Sequence, residues 1–174
     1  MSARYARGMR SAVPRLVVMG PSGAGKSVVG AALAAELGVV FIDGDDLHPA
    51  RNVAKMASGH PLTDDDRMPW LDVVAQRLAE PVGGAVVACS ALARRYRDRI
   101  LQGCRDARFV ELRVPRDELE HRMQTRAHFM PPALLDSQLA TWEALAPDEP
   151  GVRVVNEGDV GVVVARILAE LARA

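Results

Sequence analysis

The residues Gly20-Pro21-Ser22-Gly23-Ala24-Gly25-Lys26-Ser27 fit the pattern G-x-x-x-x-G-K-[ST]. Chemistry at this spacing is phosphate binding. Gly20, Gly23 and Gly25 withdraw side chains so that backbone N–H groups converge on a polyphosphate. Lys26 is placed to reach the β- and γ-phosphates, and the Ser27 hydroxyl to ligate Mg²⁺. The only lysines in the chain are Lys26 and Lys55, so a sequence that otherwise uses arginine keeps a compact point charge here.

Other chemistry-bearing groups follow. Asp43 and Asp45 stand two apart after an apolar run. One can hold Mg²⁺ through water while the other accepts a proton from an attacking hydroxyl, or both can belong to an acidic turn or helix cap. Arg67 follows Asp64, Asp65 and Asp66, near the expected positive end of a helix. Either it pairs with those acids, or it faces a cleft and binds an anion. Arg122 and Arg126 lie four apart on one helical face, so both can reach bound phosphates.

The elements that must position these groups are legible. Leu16 to Met19 reads as a buried parallel strand, and Val28 to Leu37 as the helix after the loop, ended by Gly38. Its dipole points at the same phosphates. Further strands are expected at Val39–Ile42, Ala85–Ala88, Phe109–Val114 and Val152–Val155. Between them fall helices at Arg51–Ala57, from Thr63 as N-cap to Pro81, after Leu92, at Arg116–Arg126, at Leu134–Leu145 and at Val160–Ala172. Arg94, Arg95, Arg97 and Arg99 are spread around the helix that carries them, and most of them read as a solvated charged surface. Alternating strand and helix predicts an α/β fold, a parallel sheet covered on both faces. The break at 127–132 lies between two helices and predicts a helical lid over about 122–145, with His128 either on its surface or in contact with substrate.

With 174 residues, 49% of them hydrophobic, the chain suits one domain at 15–174 after a disordered extension at 1–14. Zero formal net charge argues against general affinity for nucleic acid or anionic membrane. Any anion must be held by a local cluster. Cys89 and Cys104 make no disulfide framework, so a reducing compartment is expected.

Five blocks resemble the small gluconate kinases of the phosphate-loop superfamily. They are GPSGAGKS at 20–27, FIDGDDLHP at 41–49, NVAKMASGHPLTDDDRMPWL at 52–71, CSALARRYRD at 89–98 and HFMPPALLDSQLATWEAL at 128–145. The resemblance implies the fold of nucleoside-monophosphate and shikimate kinases, with five parallel strands in the order 2-3-1-4-5. It implies ATP-dependent phosphorylation of D-gluconate on its 6-hydroxyl, with Mg²⁺, in a cytoplasmic homodimer. It places the ATP site at Gly20 to Ser27, a metal-linked acid at Asp43, a substrate-hydroxyl acid at Asp45 and a carboxylate-binding cation at Arg67. Arg122 and Arg126 match the lid basic positions, and with Lys26 and Asp45 they form the expected catalytic set. Hydroxyl recognition by Asp45, His48, Ser90 and the lid residue His128 would complete the site. Ala127 and Trp142 depart from the family pattern, where Gly and Leu are expected. No acid ends the third strand at Cys89, which favours Asp43 as the Mg²⁺ ligand.

Overall fold

A computed structural model describes residues 13–125 and 133–174. Five strands form one parallel sheet in the order β2-β3-β1-β4-β5. They are β1 (Arg15–Met19), β2 (Val40–Asp43), β3 (Ala85–Ala88), β4 (Arg108–Arg113) and β5 (Gly151–Val155). The helices are α1 (Lys26–Leu37), α2 (Ala50–Ala57), α3 (Asp64–Ala79), α4 (Arg94–Gly103), α5 (Arg116–Thr125), α6 (Ala133–Thr141) and α7 (Val160–Leu171). The expected class and strand order are therefore present. Of the expected N-terminal extension, residues 1–12 lie outside the described residues. Sheet hydrogen bonding begins at Pro14, whose carbonyl accepts from the Ala85 N–H at 2.9 Å.

Strand alternation divides the core. Leu16 and Val18 pack on one face with residues of α1 and α7, among them Leu33, Val163 and Ile167. Val17 and Met19 pack on the other with Trp70, Leu71, Val74, Tyr96 and Ile100 of α3 and α4. The four β1 residues from Leu16 to Met19 are at most 2% exposed, as a strand covered on both faces requires. No described helix is long and apolar enough to cross a membrane.

Most of the α4 arginines keep the exposure expected of them, Arg94 and Arg95 being exposed and Arg99 half-buried, but all four are paired with acids and Arg97 is not at the surface. Arg97 is fully buried and paired to Glu149 at 2.5 Å. Arg94 grips Asp148 with two bonds, Arg95 grips Asp64, and Arg99 grips Asp72. Together they fasten α4 to α3 and to the segment after α6. That segment also explains why α6 stops at Thr141 rather than at Leu145. The Glu143 N–H donates to the Leu92 carbonyl at 2.8 Å and the Leu145 N–H to Glu111 at 2.6 Å. The chain leaves the helix to make those bonds, and Trp142 packs against the α3/α4 side of the core.

Candidate active site

Because β1 lies between β3 and β4, the chain turns to opposite sides of the sheet at its carboxyl end. Such a switch point opens a crevice where α/β sheets bind ligands. The loop from Gly20 to Ser27 leaves β1 there and enters α1 through Gly25, whose φ of 85° is left-handed and suits glycine. Asn156, just after β5, donates from Nδ2 to the Ala24 carbonyl at 2.7 Å and braces the loop from outside. Lys26 Nζ donates to the Pro21 carbonyl at 3.0 Å. Burial pushes the Lys26 ammonium pKa down, against the opposing attraction of Asp45, Cys89 and Asp43.

Asp43 ends β2 and caps a short 3₁₀ turn at Gly44–Leu47, accepting from the Asp45 N–H at 3.1 Å. The turn lies against the end of β3: a Cβ on Gly44 would come within 2.4 Å of the Ala88 carbonyl oxygen. This close approach brings both acids to the phosphate loop. Ser27 Oγ donates to Asp43 Oδ2 at 2.7 Å. A hydroxyl beside a carboxylate at the foot of a phosphate loop is an all-oxygen donor pair that suits Mg²⁺. Asp43 is thus both the cap and a neighbour of Ser27.

A cleft opens beside the loop. Its lining includes Ser22, Lys26, Asp45, His48, Arg67 and Ser90. Five residues singled out from the sequence for catalysis or substrate binding therefore face one space. His48 stacks on Trp70, ring centroids 4.0 Å apart, and Trp70 Nε1 donates to the Gly44 carbonyl at 2.8 Å. Burial, then the nearby Arg67 charge, holds the His48 pKa down to about 4, so its ring is neutral near pH 7. Asn52 Nδ2 lies 3.3 Å from His48 Nδ1, which places the imidazole proton on Nε2.

Arg67 does not pair with the acids that precede it. Asp66 caps α3 at Thr63 and binds Lys55 at 2.5 Å, while Asp64 binds Arg95. Arg67 Nη1 instead donates to the Tyr96 hydroxyl at 2.9 Å. On the other side, Arg122 of α5 donates to Glu118 at 2.6 Å and reaches the Gly23 carbonyl at 3.4 Å, beside the phosphate loop. Arg126 and His128 lie outside the described residues.

Sequence reasoning missed part of the wall. Ser137 and Gln138 of α6 line the same cavity, and Gln138 Oε1 accepts from the Ser22 N–H at 2.7 Å. The block at 128–145 contained both, but nothing local marks a glutamine in a helix as a contact of a loop 116 residues away. In the β3–α4 turn Ser90 was singled out from the sequence, but the conformation of its neighbour was not. Ala91, next to Ser90, has a φ of 42°, and Arg97 Nη1 donates to its carbonyl at 3.1 Å. The buried arginine thereby holds a strained turn at the cavity edge.

The family profile described as an AAA domain matches residues 16–145. A gluconokinase of Gluconobacter oxydans is 47% identical over 157 residues, covering 88% of each chain. The crystal structure of a gluconokinase from Sinorhizobium meliloti superposes with a TM-score of 0.84 at 45% identity, over 92% of this chain and 93% of that one. An unliganded sugar kinase from Janibacter superposes with a TM-score of 0.85 at 39% identity, over 91% and 94%. With a relative 47% identical over 88% of both chains, the chain belongs to the gluconokinase family.

Proposed function

We propose that this chain phosphorylates D-gluconate on its 6-hydroxyl with ATP, giving 6-phospho-D-gluconate and ADP. The observation that carries the reading is Arg67. Among the described residues no carboxylate pairs with it, and it lines the cavity that also holds Lys26 and Asp45. A cation so placed suits a substrate that is itself a carboxylate, with its reacting hydroxyl near the phosphate loop.

In this reading Arg67 binds the gluconate carboxylate and fixes its register. Asp45 accepts the proton of the 6-hydroxyl as that oxygen bonds to the γ-phosphorus and the bridge to the β-phosphate breaks. His48, neutral with its proton on Nε2, donates to a substrate hydroxyl, and Ser90 serves another. The loop amides and Lys26 hold the β- and γ-phosphates, joined by Arg122 and Arg126 from the lid. Ser27 and Asp43 would hold Mg²⁺, which when bound neutralises charge on the polyphosphate. Helices α5 and α6, with the segment between them that carries His128, act as the lid that excludes water. The family resemblance also supports a cytoplasmic homodimer, checked by sedimentation of the purified protein.

A panel of sugar acids and shikimate, compared by kcat/KM with Mg-ATP, tests the substrate. The highest value is expected for D-gluconate; a clear preference for another acid displaces the reading.

A further inference from the structure

Arg67 is held by an oxygen that carries no charge. Its Nη1 donates to the Tyr96 hydroxyl at 2.9 Å, and its guanidinium carbon lies 5.2 Å from the Tyr96 ring centroid. A phenol has one proton and lone pairs to spare. Here the proton goes to Asp64 Oδ1 at 2.5 Å, which leaves the oxygen as acceptor for Arg67 and for Arg95 Nη2 at 3.1 Å. Asp64 is in turn occupied by Arg95, which donates to both of its oxygens at 2.7 and 3.1 Å. Bonds from Arg95 and then from Tyr96 hold the Asp64 carboxyl down at about 2, so it stays ionised and paired near pH 7. Burial, and then the bond to Asp64, push the Tyr96 phenol up and keep it neutral.

We infer that Tyr96 is a positioning residue for substrate recognition: it orients Arg67 through an uncharged acceptor and keeps the Asp64 carboxylate from pairing with it. The inference rests on the reading of Arg67 as the carboxylate-binding residue. A direct Asp64–Arg67 pair would satisfy the guanidinium with an internal anion and set it in competition with the substrate. With Tyr96 between them, the acid anchors the phenol and Arg95 balances the acid. The anchor is rigid because the Tyr96 side chain is 2% exposed, packed between α3 and α4 in the core.

Tyr96→Phe keeps the ring and its packing and removes only the oxygen. Steady-state kinetics of wild type and variant, varying D-gluconate and Mg-ATP in turn, test the inference. The KM for gluconate is expected to rise about 10- to 150-fold, the range for losing a hydrogen bond to a charged group. The kcat and the KM for ATP are expected to stay within about twofold, because a positioning role toward substrate moves ground-state and transition-state binding together. A KM for gluconate within about twofold of wild type overturns the inference. So does a joint change in kcat and both KM values, which marks general damage to the fold. Wild type with no gluconate turnover refutes the functional reading itself, a separate result. If Tyr96→Phe fails to fold, Arg95→Gln on the exposed face of α4 replaces it. A selective rise in the gluconate KM is again expected, and an unchanged KM overturns the inference.

Discussion

In the proposed function Asp45 and Arg67 divide the recognition of a hydroxy acid between them, Asp45 serving the reacting hydroxyl and Arg67 the carboxylate. Asp45 is exposed at the cavity edge, so its removal should leave the fold intact. In the proposed role, Asp45→Ala lowers kcat by about 10²- to 10⁴-fold, the usual scale for a general base; nearly full kcat in the folded variant contradicts that role. His48 gives a pH-dependent prediction. Its folded pKa of about 4 lies below the ordinary imidazole value of 6.5, so the unfolded chain binds more protons between them. The contribution is fully present above pH 6.5 and is lost as the pH falls towards 4. NMR should show the His48 ring signals unchanged from pH 7.5 down to about pH 5.5. A midpoint near 6.5 contradicts the neutral donor. The residue identities were legible because phosphate loops and paired acids are local patterns. The partner that keeps Arg67 in place was not, because Tyr96 lies 29 residues further along the chain.

Among the elements, the 3₁₀ turn after β2 and helix α4 decide the geometry of the site. The turn was readable in part: two acids after an apolar run suggest the strand end, but only the approach of Gly44 to β3 shows that both reach the phosphate loop. The acid partners of helix α4 and the burial of Arg97 were not legible, for a physical reason. The helix's arginines pair with acids 27 to 54 residues away, and a charged helix has the same local pattern whether its partners are water or distant carboxylates. The prediction at this scale concerns Arg97. Arg97→Ala leaves Glu149 buried without its cation, and chemical denaturation should show a loss of about 3–5 kcal/mol. A loss under about 1 kcal/mol would mean that the pair does not hold α4 to the segment after α6. The bonds from Arg97 to the Ala91 and Glu143 carbonyls make the same change visible at the cavity edge.

At the scale of the whole molecule, strand order places the chemistry. Strand β1 sits at the centre of the sheet, and the phosphate loop, the acidic turn and Ser90 all leave the carboxyl edges of neighbouring strands. The order 2-3-1-4-5 came from resemblance, since alternation of strand and helix gives a parallel sheet without fixing its sequence of neighbours. The central claim is that this edge transfers phosphate from ATP to gluconate through Lys26. The most direct test couples Mg-ATP and D-gluconate to 6-phosphogluconate dehydrogenase and reads NADPH, in wild type and in folded Lys26→Ala. The account predicts a gluconate-dependent signal in wild type that falls by about 10²-fold or more in the variant, as expected for loss of a charge that stabilises the transferring phosphate. No signal from wild type that still binds ATP, or an undiminished signal from Lys26→Ala, would contradict it.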